Sequence, residues 1–259
     1  MESFKNFNIF VERVRISLVQ LKEYKANFYS VLFFDLVLSF VFVFFMFVFG
    51  DLIFDILGWE KIDLVIYYVA LLCGAKIKWL FSLMFFSNRI ITGDFNLVLT
   101  KPVNSFFFEN LRNMTGATII TIPLMFCIFL GLSLVYGFNY FFIFLSSLIL
   151  FFGVFCEVCM INFIESLAFF IKKNQFLREF LFKIIFANET YTPRILENLS
   201  RGFYLFSTSI YGFFVVEGLN GNFSLFILFL PWICLIYFGF IVGTYFLWKF
   251  GLVRYEAFG

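Results

Sequence analysis

Long uncharged apolar runs alternate with short polar connections along this chain, and the lengths of those runs predict its architecture. Residues 30–49 carry only Asp35 as a charge, and residues 64–86 only Lys76 and Lys78. Residues 113–156 carry none. A helix needs about 20 apolar residues to cross a bilayer, so the last stretch, about twice that length, must fold back on itself. Its turn is Tyr136, Gly137, Phe138 and Asn139. The pattern predicts spans at 30–49, 64–86, 114–135 and 140–171, and a sixth at 223–248. A fifth apolar stretch, 202–216, is short, which leaves three arrangements: a tilted span, one extended to Leu219, or a partly re-entrant segment.

Polar segments take a different period. In residues 1–29, Phe7, Val11, Val14, Leu18 and Leu21 recur at three- and four-residue steps, with Glu12, Arg13, Gln20, Lys22 and Glu23 elsewhere around the helix. This predicts a cytoplasmic or interfacial amphipathic helix. Residues 172–202, with FLREFLFKIIF inside them, predict a second interfacial segment. Five Lys and Arg fall in residues 1–29, three in 88–112, six in 172–202 and two in 249–259, whereas the alternate connections hold Lys61 alone. Because Lys and Arg concentrate in cytoplasmic loops, both termini are expected in the cytoplasm and the chain in the plasma or inner membrane. The expected fold is therefore all-α and polytopic: an N-terminal interfacial helix (1–29), then a domain of six transmembrane helices (30–259) with cytoplasmic segments at 88–112 and 172–202.

Composition agrees and narrows the chemistry. Hydrophobic residues make up 63% of the 259, charged residues 14%, and mean hydropathy is +0.97, far from a soluble domain at about 25% charged. With 48 Phe and no His, His-based acid/base catalysis, Ser/His triads and His-ligated metals are excluded. The five cysteines lie in apolar segments as small hydrophobes, and the Cys156/Cys159 pair lacks the partners of a zinc site. No catalytic residue, metal or cofactor site is expected, and no nucleic-acid partner.

Ionisable groups within spans are candidate functional residues. At 1.5 Å per residue Lys76 sits roughly 18 Å from the start of its span and Glu157 roughly 25 Å from the start of its own, with Glu165 deeper still, beyond the hydrocarbon. Asp35 has a similar inner depth, so Asp35 is expected to pair with Lys76 or Lys78 and bring the first two spans together. The alternative is that spans two and four project into the cytoplasm and leave these charges solvated. Gly239 and Gly243 form a GxxxG that allows close helix packing, within the chain or to another subunit.

The most informative polar connection is NRIITGDFNLVLTKPVN, residues 88–104. Gly93 and Pro102 bracket the apolar run Phe95, Leu97, Val98, Leu99, which suits a small amphipathic helix at the membrane face, although a plain inter-helix loop fits the local pattern too. Its residues Arg89, Ile90, Gly93, Asp94, Leu97, Leu99, Lys101 and Pro102, continued by Val103 and Asn104, resemble the loop between spans two and three in one bacterial and archaeal branch of the ABC-2 type exporter permeases. Two further stretches are similar to that family: Thr192, Pro193, Ile195 and Arg201 before span five, and Gly251, Arg254, Tyr255 and Gly259 at the end. Thr192, and Lys76 and Lys78 within span two, depart from the family pattern.

The resemblance implies a permease that pairs with itself or a related permease and binds cytoplasmic ATPase subunits, with Asn88 to Asn104 as the coupling region. ATP and Mg2+ would then belong to the partner, consistent with the lack of any GxxxxGK[ST] loop in this chain. Two other classes stay open: a proton- or sodium-driven secondary transporter, which requires midplane carboxylates and broken helices, and a membrane scaffold without transport of its own. The sequence names no substrate.

Overall fold

The computed structural model describes residues 2–23, 25–49, 59–171 and 201–255, with Phe176, Glu179, Phe180 and Lys183 between them. Asp51, Asp55, most of the 172–202 segment, Thr192, Pro193, Ile195 and Gly259 therefore lie outside the described residues, as does the side chain of Asp35. Every regular element among the described residues is a helix: α1 (Glu2–Glu23), α2 (Lys25–Phe49), α3 (Lys61–Phe81), α4 (Phe86–Thr92), α5 (Asn96–Leu99), α6 (Ser105–Asn110), α7 (Gly116–Val135), α8 (Tyr140–Ser166), α9 (Ser207–Tyr211), α10 (Phe213–Leu219) and α11 (Ser224–Arg254). Four stretches are long and apolar enough to cross a membrane: Lys61–Thr92, Gly116–Val135, Tyr140–Phe169 and Ser224–Arg254. The α2 helix has the length as well, at 25 residues. Pro123 and Pro231 lie inside α7 and α11 without ending either helix.

Three of the long helices run in the same direction. Phe163 of α8 packs on Phe240 of α11 and Phe169 on Trp248, with ring centroids 5.2 Å apart in both pairs. Helix α7 runs the other way: Met114, just before it, clusters with Leu80 near the end of α3, while Leu132 and Tyr136 share a groove with Lys61 and Ile62 at its start. Trp59 stands at the upper end of the bundle and Arg89 at the lower. At the upper end Trp59 Nε1 donates to Glu217 Oε1 (2.9 Å), Asn222 Nδ2 to Glu217 Oε2 (3.1 Å) and Asn220 Nδ2 to Asp63 Oδ1 (3.2 Å). These bonds tie the end of α10 to the start of α3.

The fifth apolar stretch is only about two-thirds of a crossing. Helices α9 and α10 extend to Leu219, but residues 207–219 reach about 20 Å of an apolar layer about 30 Å thick. At the lower end of this pair, Tyr237 Oη in the middle of α11 donates to Leu205 O (3.2 Å). The chain kinks at Gly212, and both short helices are buried throughout. Burial on this scale requires small residues opposite: an added Cβ on Gly153 of α8 would lie 2.6 Å from the Tyr211 backbone N and 2.9 Å from Ile210 Cγ2. Backbone cannot give way as a flexible side chain can, so Gly153→Ala is expected to cost about 1–3 kcal/mol by overpacking. Gly131→Ala, whose added Cβ meets nothing within 4 Å, is the control that leaves the melting temperature in detergent unchanged or slightly raised.

The amphipathic stripe of α1 divides between two environments. Ile9, Phe10 and Val14 pack on the cluster of Leu80, Leu111 and Met114, and Ser17 Oγ donates to Met114 O (3.1 Å). Phe7, Val11 and Leu18, expected on the same face as Val14, stay exposed. Arg13 lies 4.3 Å over the ring of Phe108. Burial first, and then the neighbouring Arg112, hold its guanidinium below its ordinary pKa, while Glu109 opposes them.

The GxxxG pair also divides. A Cβ on Gly243 would come within 2.6 Å of Phe163 Cε2, so this glycine admits the α8 side chain, while one on Gly239 would meet nothing within 4 Å.

Candidate functional site

Span two, expected as one helix over 64–86, is broken. Helix α3 ends at Phe81, Ser82 is extended (φ −114°, ψ 154°), and Phe85 adopts a left-handed conformation (φ 64°) before α4 resumes. A bulky residue at positive φ is strained by about 1–3 kcal/mol and persists only where its surroundings over-determine it. Here the surroundings are a set of polar side chains that take over the hydrogen bonds the helix gives up. Leu83 N donates to Asn162 Oδ1 (2.8 Å) and Ser87 N to Glu165 Oε2 (2.9 Å). On the acceptor side, Met84 O receives Arg89 Nη2 (2.9 Å) and Asn113 Nδ2 (3.3 Å), and Asn113 also reaches Ser82 O (3.4 Å). Away from water each such group would cost several kcal/mol if unpaired, so these side chains are what permits the break.

The same face of α8 continues the pattern towards the middle of the bundle. Lys78 Nζ lies 2.9 Å from Glu157 Oε1, with side-chain exposures of 9% and 0%. Lys78 meets Glu157, Leu83 meets Asn162 and Ser87 meets Glu165 at sequence separations of 79, 79 and 78. This near-constant offset identifies α3–α4 and α8 as parallel neighbours in register. Sequence placed Lys76 or Lys78 opposite Asp35, whose side chain lies outside the described residues; among the described residues Lys78 is paired with Glu157. Glu165 is 1% exposed and bonded to α4. Solvated charges are thus excluded for Lys78, Glu157 and Glu165.

Below the break, residues 86–113 form a braced unit rather than an open loop. Arg89 and Glu109 are ion-paired in the interior, and Arg112 Nη1 donates to the other oxygen of Glu109 (3.2 Å). Asn110, beside Glu109, accepts from Asn162 Nδ2 (3.0 Å) and donates to Phe106 O (3.0 Å), which ties α6 to α8. Gly93 (φ 79°) closes α4 and donates to Ile90 O, a left-handed position that favours glycine. An aromatic cluster completes the unit: Phe86 is 5.0 Å from Phe95 and 4.9 Å from Trp248, and Phe95 is 5.3 Å from Tyr255. Two of the stretches singled out in the sequence therefore meet, the 88–104 loop and the Gly251 to Tyr255 segment.

The loop residues serve two purposes. Arg89 and Ile90 point inward and are buried; Asp94, Leu97, Leu99, Lys101 and Pro102 face out. The expected amphipathic helix between Gly93 and Pro102 is one turn, Asn96–Leu99, with Phe95 and Val98 inward and Leu97 and Leu99 exposed at 65% and 42%. Ile91, at 50%, extends the apolar face. Thr92 Oγ1 donates to Asp94 Oδ2 (3.0 Å), and Lys101 Nζ sits 4.6 Å over Phe108. The sequence did not identify Glu109, Asn110, Asn113 or Asn162 as the ties. Their one legible signal is helical spacing of polar residues in an apolar setting, Asn110/Asn113 and Asn162/Glu165 at i,i+3.

Fold and site together define a protein whose described residues form helices and no strands, with long apolar helices compatible with multi-pass membrane insertion. Compared with known proteins, the chain matches no protein-family model, no curated protein and no solved structure.

Proposed function

We propose that the chain is the membrane-spanning permease subunit of an ATP-driven exporter of the ABC-2 type, forming the translocation pathway as a homo- or heterodimer and driven by separate cytoplasmic ATPase subunits. One observation carries this reading: an exposed apolar surface of Ile91, Leu97 and Leu99, rimmed by Asp94 and Lys101, sits on a unit locked to the break in a spanning helix through Arg89 and Glu109. A soluble partner gripping that surface moves α4, and α4 can transmit displacement to α8 and to the break after α3 because its hydrogen bonds run to Glu165 and to Met84. The Lys and Arg distribution supports a cytoplasmic position for this face. ATP and Mg2+ are assigned to the partner, and this chain contributes the docking surface and the helices that respond.

The test is ATP hydrolysis by the complex purified from its native membrane. Leu97→Glu and Lys101→Glu are exposed substitutions, expected to leave the melting temperature unchanged while the ATPase no longer co-purifies and transport-coupled hydrolysis falls at least tenfold. Unaltered co-purification and hydrolysis in both variants overturns the reading.

A second reading, a proton- or sodium-driven transporter, draws support from the buried Lys78–Glu157 pair beside a broken helix, a combination that secondary transporters use. Flux that follows an imposed ion gradient without ATP, in vesicles of the purified chain, selects it.

A further inference from the structure

Between the lower halves of α8 and α11 and residues 103–106 lies a cleft of about 720 Å3, within the range of about 300–1,000 Å3 typical of sites for small organic molecules. Nothing in the permease reading uses it. Its two ends differ in chemistry. Phe155, Val158 and Ile241 line the deep end, and the polar groups there are consumed internally: Thr244 Oγ1 donates to Phe240 O (2.7 Å), and Asn162 is held by Leu83 and Asn110. At the other end stand Lys249, Asn104 and Ser105. Lys249 is exposed and has no acidic partner among the described residues. Asn104 accepts from Phe107 N through its Oδ1 (3.1 Å), which leaves its NH2 group to donate.

Depth separates the ends in the same sense. Counting from Ser224 at 1.5 Å per residue, Ile241 lies about 26 Å along α11 and Lys249 about 38 Å, on either side of the edge of a hydrocarbon layer about 30 Å thick. The apolar end thus sits at acyl-chain level and the donor-rich end at headgroup level. We propose that this cleft holds an anionic phospholipid, its headgroup at Lys249 and Asn104 and its acyl chains along Phe155 and Ile241. A zwitterionic lipid of equal chain length gains the apolar contact without the charge match. The proposal rests on membrane insertion and not on coupling to an ATPase, so it survives if the exporter reading fails.

Lipid retention by the full chain, purified in mild detergent and analysed by mass spectrometry, tests it with phosphatidylglycerol and phosphatidylcholine of matched chains. A single Lys near a membrane surface favours anionic lipid enough to predict a preference of about fivefold. Lys249→Gln is expected to bring the two lipids to parity. Ile241→Trp, which fills the acyl end, should lower retention of both at unchanged melting temperature. Soluble glycerol phosphate should displace neither. Equal retention by the unaltered chain, a preference that persists in Lys249→Gln, undiminished retention in Ile241→Trp, or displacement by glycerol phosphate each overturns the proposal, the last by assigning the site to a free phosphate.

Discussion

Glu109→Ala is expected to destabilise the folded chain by about 3–5 kcal/mol, the cost of stranding a buried charge by removing its partner. Glu109 is 0% exposed and both of its oxygens are engaged, one by Arg89 and one by Arg112. Without it the buried Arg89 faces Arg112 with no anion between them, and Arg89 cannot neutralise itself because a guanidinium keeps its proton. Arg89 also braces the strained turn through Met84 O, so the break at residues 82–85 loosens with it. The double variant Arg89→Met/Glu109→Leu should recover most of the loss, since matched apolar side chains leave no buried charge behind. Thermal unfolding in detergent, followed by size exclusion, reads both: a fall of roughly 10 °C is expected for Glu109→Ala. A shift within a degree or two of the unaltered chain would show that this ion pair does not hold the unit.

The second large effect belongs to Lys78→Met, also at about 3–5 kcal/mol. The methionine fills the space of the lysine stem but leaves the carboxylate of Glu157, 0% exposed, without the ammonium 2.9 Å away. Glu157→Gln on the Lys78→Met background should restore stability, because a neutral amide no longer demands a cation. A double-mutant cycle on Lys78 and Glu157 is expected to give a coupling of about 0.5–3 kcal/mol. The parallel cycle on Lys78 and Asp35 tests the pairing that span lengths alone suggest. If that coupling is the larger, Asp35 and not Glu157 is the principal partner of Lys78.

Part of the candidate site is legible in the linear pattern of residues, and the rest escapes it for a common reason. The 88–104 loop stands out because helix breakers and mixed charge between two long apolar runs must leave the hydrocarbon. Which of its residues face a partner does not, because Arg89 and Asp94 look alike in a sequence: both are charges in a loop. One is buried against Glu109 and the other faces out, and only the path of α6 decides which. The pairing of Lys78 shows the same limit. Helical rise fixes the depth of a charge but not its azimuth, and Asp35 and Glu157 both satisfy depth. The amphipathic stripe of α1 is identified in outline, yet hydrophobic spacing does not distinguish a side chain docked on protein, such as Val14, from one left exposed, such as Phe7.

Helical class was determined by the sequence itself, through apolar runs of spanning length, the turn at 136–139 and the polar loop after the second run. Those properties are local, set by how many apolar residues follow one another and by where charge or glycine interrupts them. Tertiary structure alone decided that the second apolar run breaks at residues 82–85, that the fifth stretch falls short of a full crossing, and that α3–α4 lies parallel to α8 with Lys78, Leu83 and Ser87 opposite Glu157, Asn162 and Glu165. The break and the parallel register depend on partners about 80 residues away, whose side chains supply the hydrogen bonds and counter-charges that make a broken, charged helix tolerable in an apolar surrounding; the fifth stretch depends on Gly153 of α8 and on Trp59, and no local pattern encodes where those partners will stand.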